Sequence, residues 1–116
     1  MGVLEKLGFQ REAPIIIVVE NTNGISPFTE IDADRRITEI CDTLSIGASI
    51  ENILLKAEEL GLGTLWIANT CFAYPELVTY LNMKGQLIGT IAVGYPDEKP
   101  AARPRKKLEE IVEYRF

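Results

Sequence analysis

The sequence predicts one small domain built as a helix-covered sheet. Three observations carry this: apolar runs of strand length, stretches between them in which apolar residues recur every three or four positions, and 47% hydrophobic content in 116 residues. The elements fall in the order β-α-β-α-β with no internal repeat, the pattern of a layered sheet-and-helix domain. A chain of this length folds as a single domain with a modest core. With 25% of residues charged, its composition is that of a folded globular protein.

The first strand is "APIIIVVE", Ala13 to Glu20, a β-branched run with Pro14 at its entrance. A continuous apolar run of this kind reads as a strand buried on both faces. "NTNGISPF" is loop by composition. From Asp34 the period changes: Ile37, Ile40, Cys41, Leu44, Ala48, Ile50, Ile53, Leu54, Ala57 and Leu60 recur at helical steps. Asp32 and Asp34 stand where a helix start favours acids, and Gly61 where a C-cap favours glycine. The helix so bounded, Asp34 to Leu60, is long for so small a domain.

Its second half, "SIGASIENILLKAEEL", is apolar on more than one face and needs cover on several sides, so a partner subunit is expected. "GLGTLWIA" reads as a second buried strand, followed by the loop "NTCFAY". "PELVTYLN" opens with proline at a helical first position and places Leu77, Val78 and Leu81 on one side. "QLIGTIAVGY" is the third strand, and "PDEKPAARP" is a loop. "KKLEEIVEYRF" fits a short helix or an edge strand equally well.

Composition excludes several chemistries. The chain has no histidine, and Cys41 and Cys71 form no CxxC pair, which removes a zinc site and a histidine-based triad; no metal site is expected. No carboxylate pair is placed for acid–base work, and no side chain is assigned as catalytic. A net charge of −5 argues against nucleic acid as the main partner. No apolar run reaches the ~20 residues of a membrane helix, and the opening "MGVLEKLGFQRE" lacks the apolar centre of a secretory signal. The expected location is cytoplasmic and reducing.

Two stretches stand out against this background. "AARPRKKLEE" gathers Arg103, Arg105, Lys106 and Lys107 in a chain with only 12 basic residues against 17 acidic ones. Pro104 favours extended backbone, which would turn Arg103 and Arg105 to one face and let two planar forks grip one phosphate. The competing reading is a solvated charge run balanced by Glu109, Glu110 and Glu113. The second stretch is "GLGTLWIANT": Trp66, the sole tryptophan, ends a strand, and ligands favour the carboxyl ends of strands. A plain core aromatic is the alternative there. Gly47, Ala48 and Ser49 form a small patch on the long helix, and the two cysteines receive no role.

Taken in order, "APIIIVV", "IGASIENILLKAEELGLGTLWI", "LIGTIAVGYPDEKP" and "RPRKKLEEIV" resemble the C-terminal half of the FMN-dependent nitroreductase family. The likeness runs from Ala13 to Val112; no single motif is strong, and the ordered combination is what is specific. The resemblance implies an α+β fold, a nitroreductase-like sheet flanked by helices. It also implies an intertwined homodimer with FMN at the interface and the long helix against its mate. It places Trp66, Ile67, Ala68 and Asn69 beside the flavin ring, with backbone N–H groups near flavin N5, and Arg103 and Arg105 on the FMN phosphate.

The implied activity is an oxidoreductase passing hydride from NAD(P)H through FMN to a nitro-aromatic, quinone or similar acceptor. Family members usually carry a further N-terminal segment with an "RRS-R" type motif that grips the cofactor. Nothing before Ala13 resembles it. The chain is therefore read as a single nitroreductase-like domain, residues 1–116, truncated at the N-terminus. The alternative is a non-catalytic dimeric remnant, or a binding module of the same fold that has lost FMN.

Overall fold

The computed structural model describes residues 13–116. Strand β1 spans Ile15–Asn21, helix α1 Ala33–Glu59 and strand β2 Gly63–Ile67. A short 3-10 turn at Cys71–Ala73 leads into helix α2, Tyr74–Tyr80, then strand β3, Gln86–Gly94, and the four-residue helix α3, Leu108–Ile111. The sheet order is β1-β3-β2, with β3 antiparallel to both neighbours. The last strand in sequence is thus the central one. The undecided C-terminal stretch adopts the helical alternative for a single turn and continues extended from Val112.

The ends of α1 follow the chemistry of its flanks. The Asp32 carboxylate accepts from the Arg35 N–H at 2.8 Å, satisfying a donor of the first turn. At the other end Gly61 takes φ +75°, a left-handed conformation that side chains resist. The Gly61 N–H then donates to the Glu58 carbonyl at 3.0 Å, and that of Leu62 to Ala57 at 2.9 Å. This is the Schellman pattern, and it turns the chain straight into β2. Helix α2 ends the same way, with Asn82 at φ 51° in glycine's place.

One face of the sheet meets α1. Ile50 of α1 and Ile91 of β3, both at 0% exposure, form the core with Val93. Ile17, Val19, Ile46, Ile53, Leu54, Leu62 and Ile88 pack around them. Complete burial of each isoleucine stabilises the fold by about 1.5–3 kcal/mol. The register shifts between Val19 and Glu20, because Val19 pairs with Gly89 and Glu20 with Leu87. Ile88 is the extra residue of this bulge and still reaches the core.

Two sequence expectations are corrected. The runs at Ala13–Glu20 and "GLGTLWIA" were expected as strands buried on both faces, yet Ile15, Ile16, Leu65 and Trp66 are all exposed. Intercalation of β3 makes β1 and β2 the two edges, so among the described residues neither has a strand on both sides. Only β3, with Leu87, Thr90, Ile91, Ala92 and Val93 buried, matches that description. Among the described residues no helix is long and apolar enough to cross a membrane.

Candidate functional site

Because β1 and β2 both run antiparallel to β3, their carboxyl ends open on the same end of the sheet. The loop after β2 emerges there. Trp66 lies opposite Ile91 in register and is 38% exposed, so it is a rim aromatic with one side on the sheet and the other open. Ala68 and Asn69 are exposed, and Ile67 is half-buried. The Asn69 Oδ1 accepts from the Cys71 N–H at 3.2 Å, a local turn that holds the loop's shape. Behind it Thr70 is buried, and Tyr74 anchors the helix it begins to β3: its hydroxyl oxygen accepts from the Leu87 N–H at 3.2 Å.

Gly89 of β3 lies beneath this loop. A Cβ built on it would stand 2.7 Å from the Ile67 carbonyl oxygen, 3.4 Å from Trp66 Nε1 and 3.5 Å from Ala68 Cα. The loop therefore rests on bare backbone. Residue-by-residue reading of the sequence passed over Gly89; the available signal was a glycine inside a strand pattern, which marks a close backbone approach.

Arg103 and Arg105 lie elsewhere. The segment after β3 starts at the opposite end of the sheet, where Pro96 sits across Gly63 at the beginning of β2. From Tyr95 onward every residue is exposed. Among the described residues the Arg105 guanidinium donates to the Arg103 and Pro104 carbonyl oxygens, each at 3.5 Å. Among the described residues the ion pairs are Arg36–Glu39, Lys56–Glu59 and Arg115–Glu113. Neither arginine forms an ion pair with Glu109, Glu110 or Glu113 among the described residues. The structure groups Trp66, Ile67, Ala68 and Asn69 at one sheet end and places Arg103 and Arg105 on the exposed segment after β3, where neither forms an ion pair among the described residues.

A small concavity sits at the β1–α1 corner, with a volume of about 20 Å³ and Asn21, Gly24, Arg35, Thr38, Glu39 and Asp42 among its lining. That is room for one water. Gln86 reaches toward it, its Nε2 donating to Glu39 Oε2 at 3.3 Å. No group of three or more His, Cys, Asp or Glu side chains among the described residues is placed to hold a metal ion.

Comparison with known proteins agrees with this architecture. The model of the nitroreductase family matches residues 3–95. Among solved structures, a protein from Desulfovibrio desulfuricans assigned as a nitroreductase and crystallised with FMN superposes with a TM-score of 0.70 at 25% sequence identity. The match covers 91% of this chain and 58% of that one, so the chain spans less than two thirds of its structural relative. With most of its length under the family model and its sheet and helices matching an FMN-bound relative, the chain belongs to the nitroreductase family.

Proposed function

We propose that the chain is an FMN-dependent oxidoreductase that passes hydride from NAD(P)H to a nitro-aromatic, quinone or similar acceptor. In such a turnover NAD(P)H loses a hydride to become NAD(P)⁺, and a quinone takes that hydride and a proton to become the hydroquinone. FMN, when bound, supplies the site that accepts and then donates the hydride. The protein's share is to bind and orient. Trp66, Ile67, Ala68 and Asn69 offer an aromatic flank and backbone donors for the ring, and Arg103 and Arg105 offer two charged forks for the phosphate.

The residues present fit the cofactor. Trp66 is open on one side where the loop rests on Gly89, as an aromatic flank for a flavin ring requires. The arginines are the right donors for a phosphate, and no carboxylate among the described residues pairs with them. The observation that carries the reading is the exposed Trp66–Asn69 loop at the sheet end in a chain that matches an FMN-bound relative. We place the protein in the cytoplasm as a homodimer, with no nucleic acid or membrane partner.

The second reading, a dimeric binding module without flavin, draws on the unmatched portion of the relative, 42% of its length by difference from the 58% covered. Purified protein separates the two. A visible flavin absorption band, and tight uptake of added FMN by flavin-free protein, are expected. Protein that is folded, colourless and indifferent to both FMN and riboflavin belongs to the second reading.

A further inference from the structure

We propose that Gly89 is a positioning residue that sets the direction of the Ile67–Ala68 peptide and so aims the Ala68 N–H off the free edge of β2. The proposal rests on the flavin reading for its ligand, the ring of a flavin, and on the structure alone for its geometry.

Ile67 is the last residue of β2 and pairs with Thr90, so the chain is leaving the ladder as it passes Gly89. The Ile67 carbonyl oxygen comes within 2.7 Å of the point where a Gly89 Cβ would stand. That distance is shorter than real Cβ contacts allow, and the group in the way is backbone rather than a flexible side-chain tip. Any residue other than glycine pushes this carbonyl aside. The peptide bonds here are trans, and in a trans peptide the N–H points opposite to the C=O. With the Ile67 carbonyl turned inward over β3, the Ala68 N–H is turned outward. Among the described residues no strand lies on that side, because β2 is an edge of their sheet.

The same contact fixes the indole. Trp66 and Gly89 share a face of the sheet as diagonal neighbours across the ladder, and Nε1 lies 3.4 Å from the would-be Cβ. One glycine thus settles both the aromatic flank and the backbone donor of the candidate ring site. A flavin N5, which accepts a hydrogen bond in the oxidised ring, is the kind of acceptor an outward N–H on an open edge can meet. Gly89 itself would touch no part of the ligand.

Two variants test this in purified protein. Gly89→Ala is expected to shift the emission of Trp66, the only tryptophan, in flavin-free protein. It is also expected to weaken FMN and riboflavin by the same factor, about tenfold or more, since the ring and not the phosphate loses its seat. Ala68→Pro removes the outward donor; it is expected to leave the thermal midpoint in place and to weaken both flavins alike. An unchanged Trp66 emission in Gly89→Ala overturns the proposal, as does weakening of FMN without riboflavin. If Gly89→Ala does not fold, Ala68→Pro decides: its unfolding, or its full retention of riboflavin, shows that the N–H is not an outward donor. Failure of the flavin reading looks different, since wild-type protein would then bind neither flavin while the Trp66 emission of flavin-free Gly89→Ala still reports on the contact.

Discussion

Arg103 and Arg105 are the residues on which the phosphate half of the proposal turns. Both are exposed and neither is ion-paired among the described residues, so their substitution should leave the fold intact. Arg103→Ala or Arg105→Ala is expected to weaken FMN by roughly ten- to a hundredfold, the loss of one charge-assisted bond to a phosphate. Arg→Lys should also weaken it, because an ammonium cannot reproduce the two-pronged contact. Riboflavin has no phosphate and should not distinguish these variants from wild type. Lys106→Ala should change FMN affinity little; equal weakening in Lys106→Ala and Arg105→Ala would mean a diffuse positive field instead of a paired clamp. At the opposite extreme of burial, Ile50→Ala opens a cavity beside Ile91 and should cost about 2–5 kcal/mol in a denaturant titration.

Among the elements, α1 shows how one substitution changes sign with local geometry. Gly61→Ala forces a Cβ into a left-handed position and should destabilise by about 1–2 kcal/mol. Gly47→Ala puts its Cβ where no atom lies within 4 Å and should stabilise by about 0.5–1 kcal/mol, the helix propensity difference. A midpoint that falls in both variants would show that Gly47 is pressed against something. The helix was legible from sequence because its period, its Asp32 cap and its Gly61 stop all agree. The family order was legible from several individually weak motifs in fixed succession, and the loop after β2 from its composition. Strand burial was not. An apolar run such as "APIIIVV" looks the same at an edge as in the centre, and the insertion of β3 between β1 and β2 is a long-range event that no local pattern records. Gly89 was missed on the same ground: its meaning comes from Ile67 and Ala68 across the ladder.

At the scale of the whole molecule the chain exposes more than one compact domain should. Its accessible surface is 9315 Å², whereas a folded monomer of this mass exposes about 6,300 Å². Its radius of gyration is 16.9 Å, against about 13 Å for a compact domain of this length. Two of the exposed apolar stretches among the described residues are continuous. Along α1, Ile37, Ile40 and Leu44 are 60%, 51% and 70% exposed and recur at helical spacing as one stripe. Beyond β3, Leu108, Ile111 and Val112 lie on an arm that is exposed throughout. Surface on this scale matches the roughly 2,000–5,000 Å² that obligate interfaces bury. A second copy of the chain is the occupant the proposed homodimer supplies. Light scattering at micromolar concentration should therefore give twice the 12.9 kDa chain mass. Leu44→Glu, which sets a charge on the most exposed of the three α1 positions, should shift the protein toward monomer and lower its thermal midpoint, because each copy then keeps its stripe in water. A folded wild-type monomer of ordinary stability, or a Leu44→Glu protein that scatters and melts like wild type, would remove this stripe from the interface.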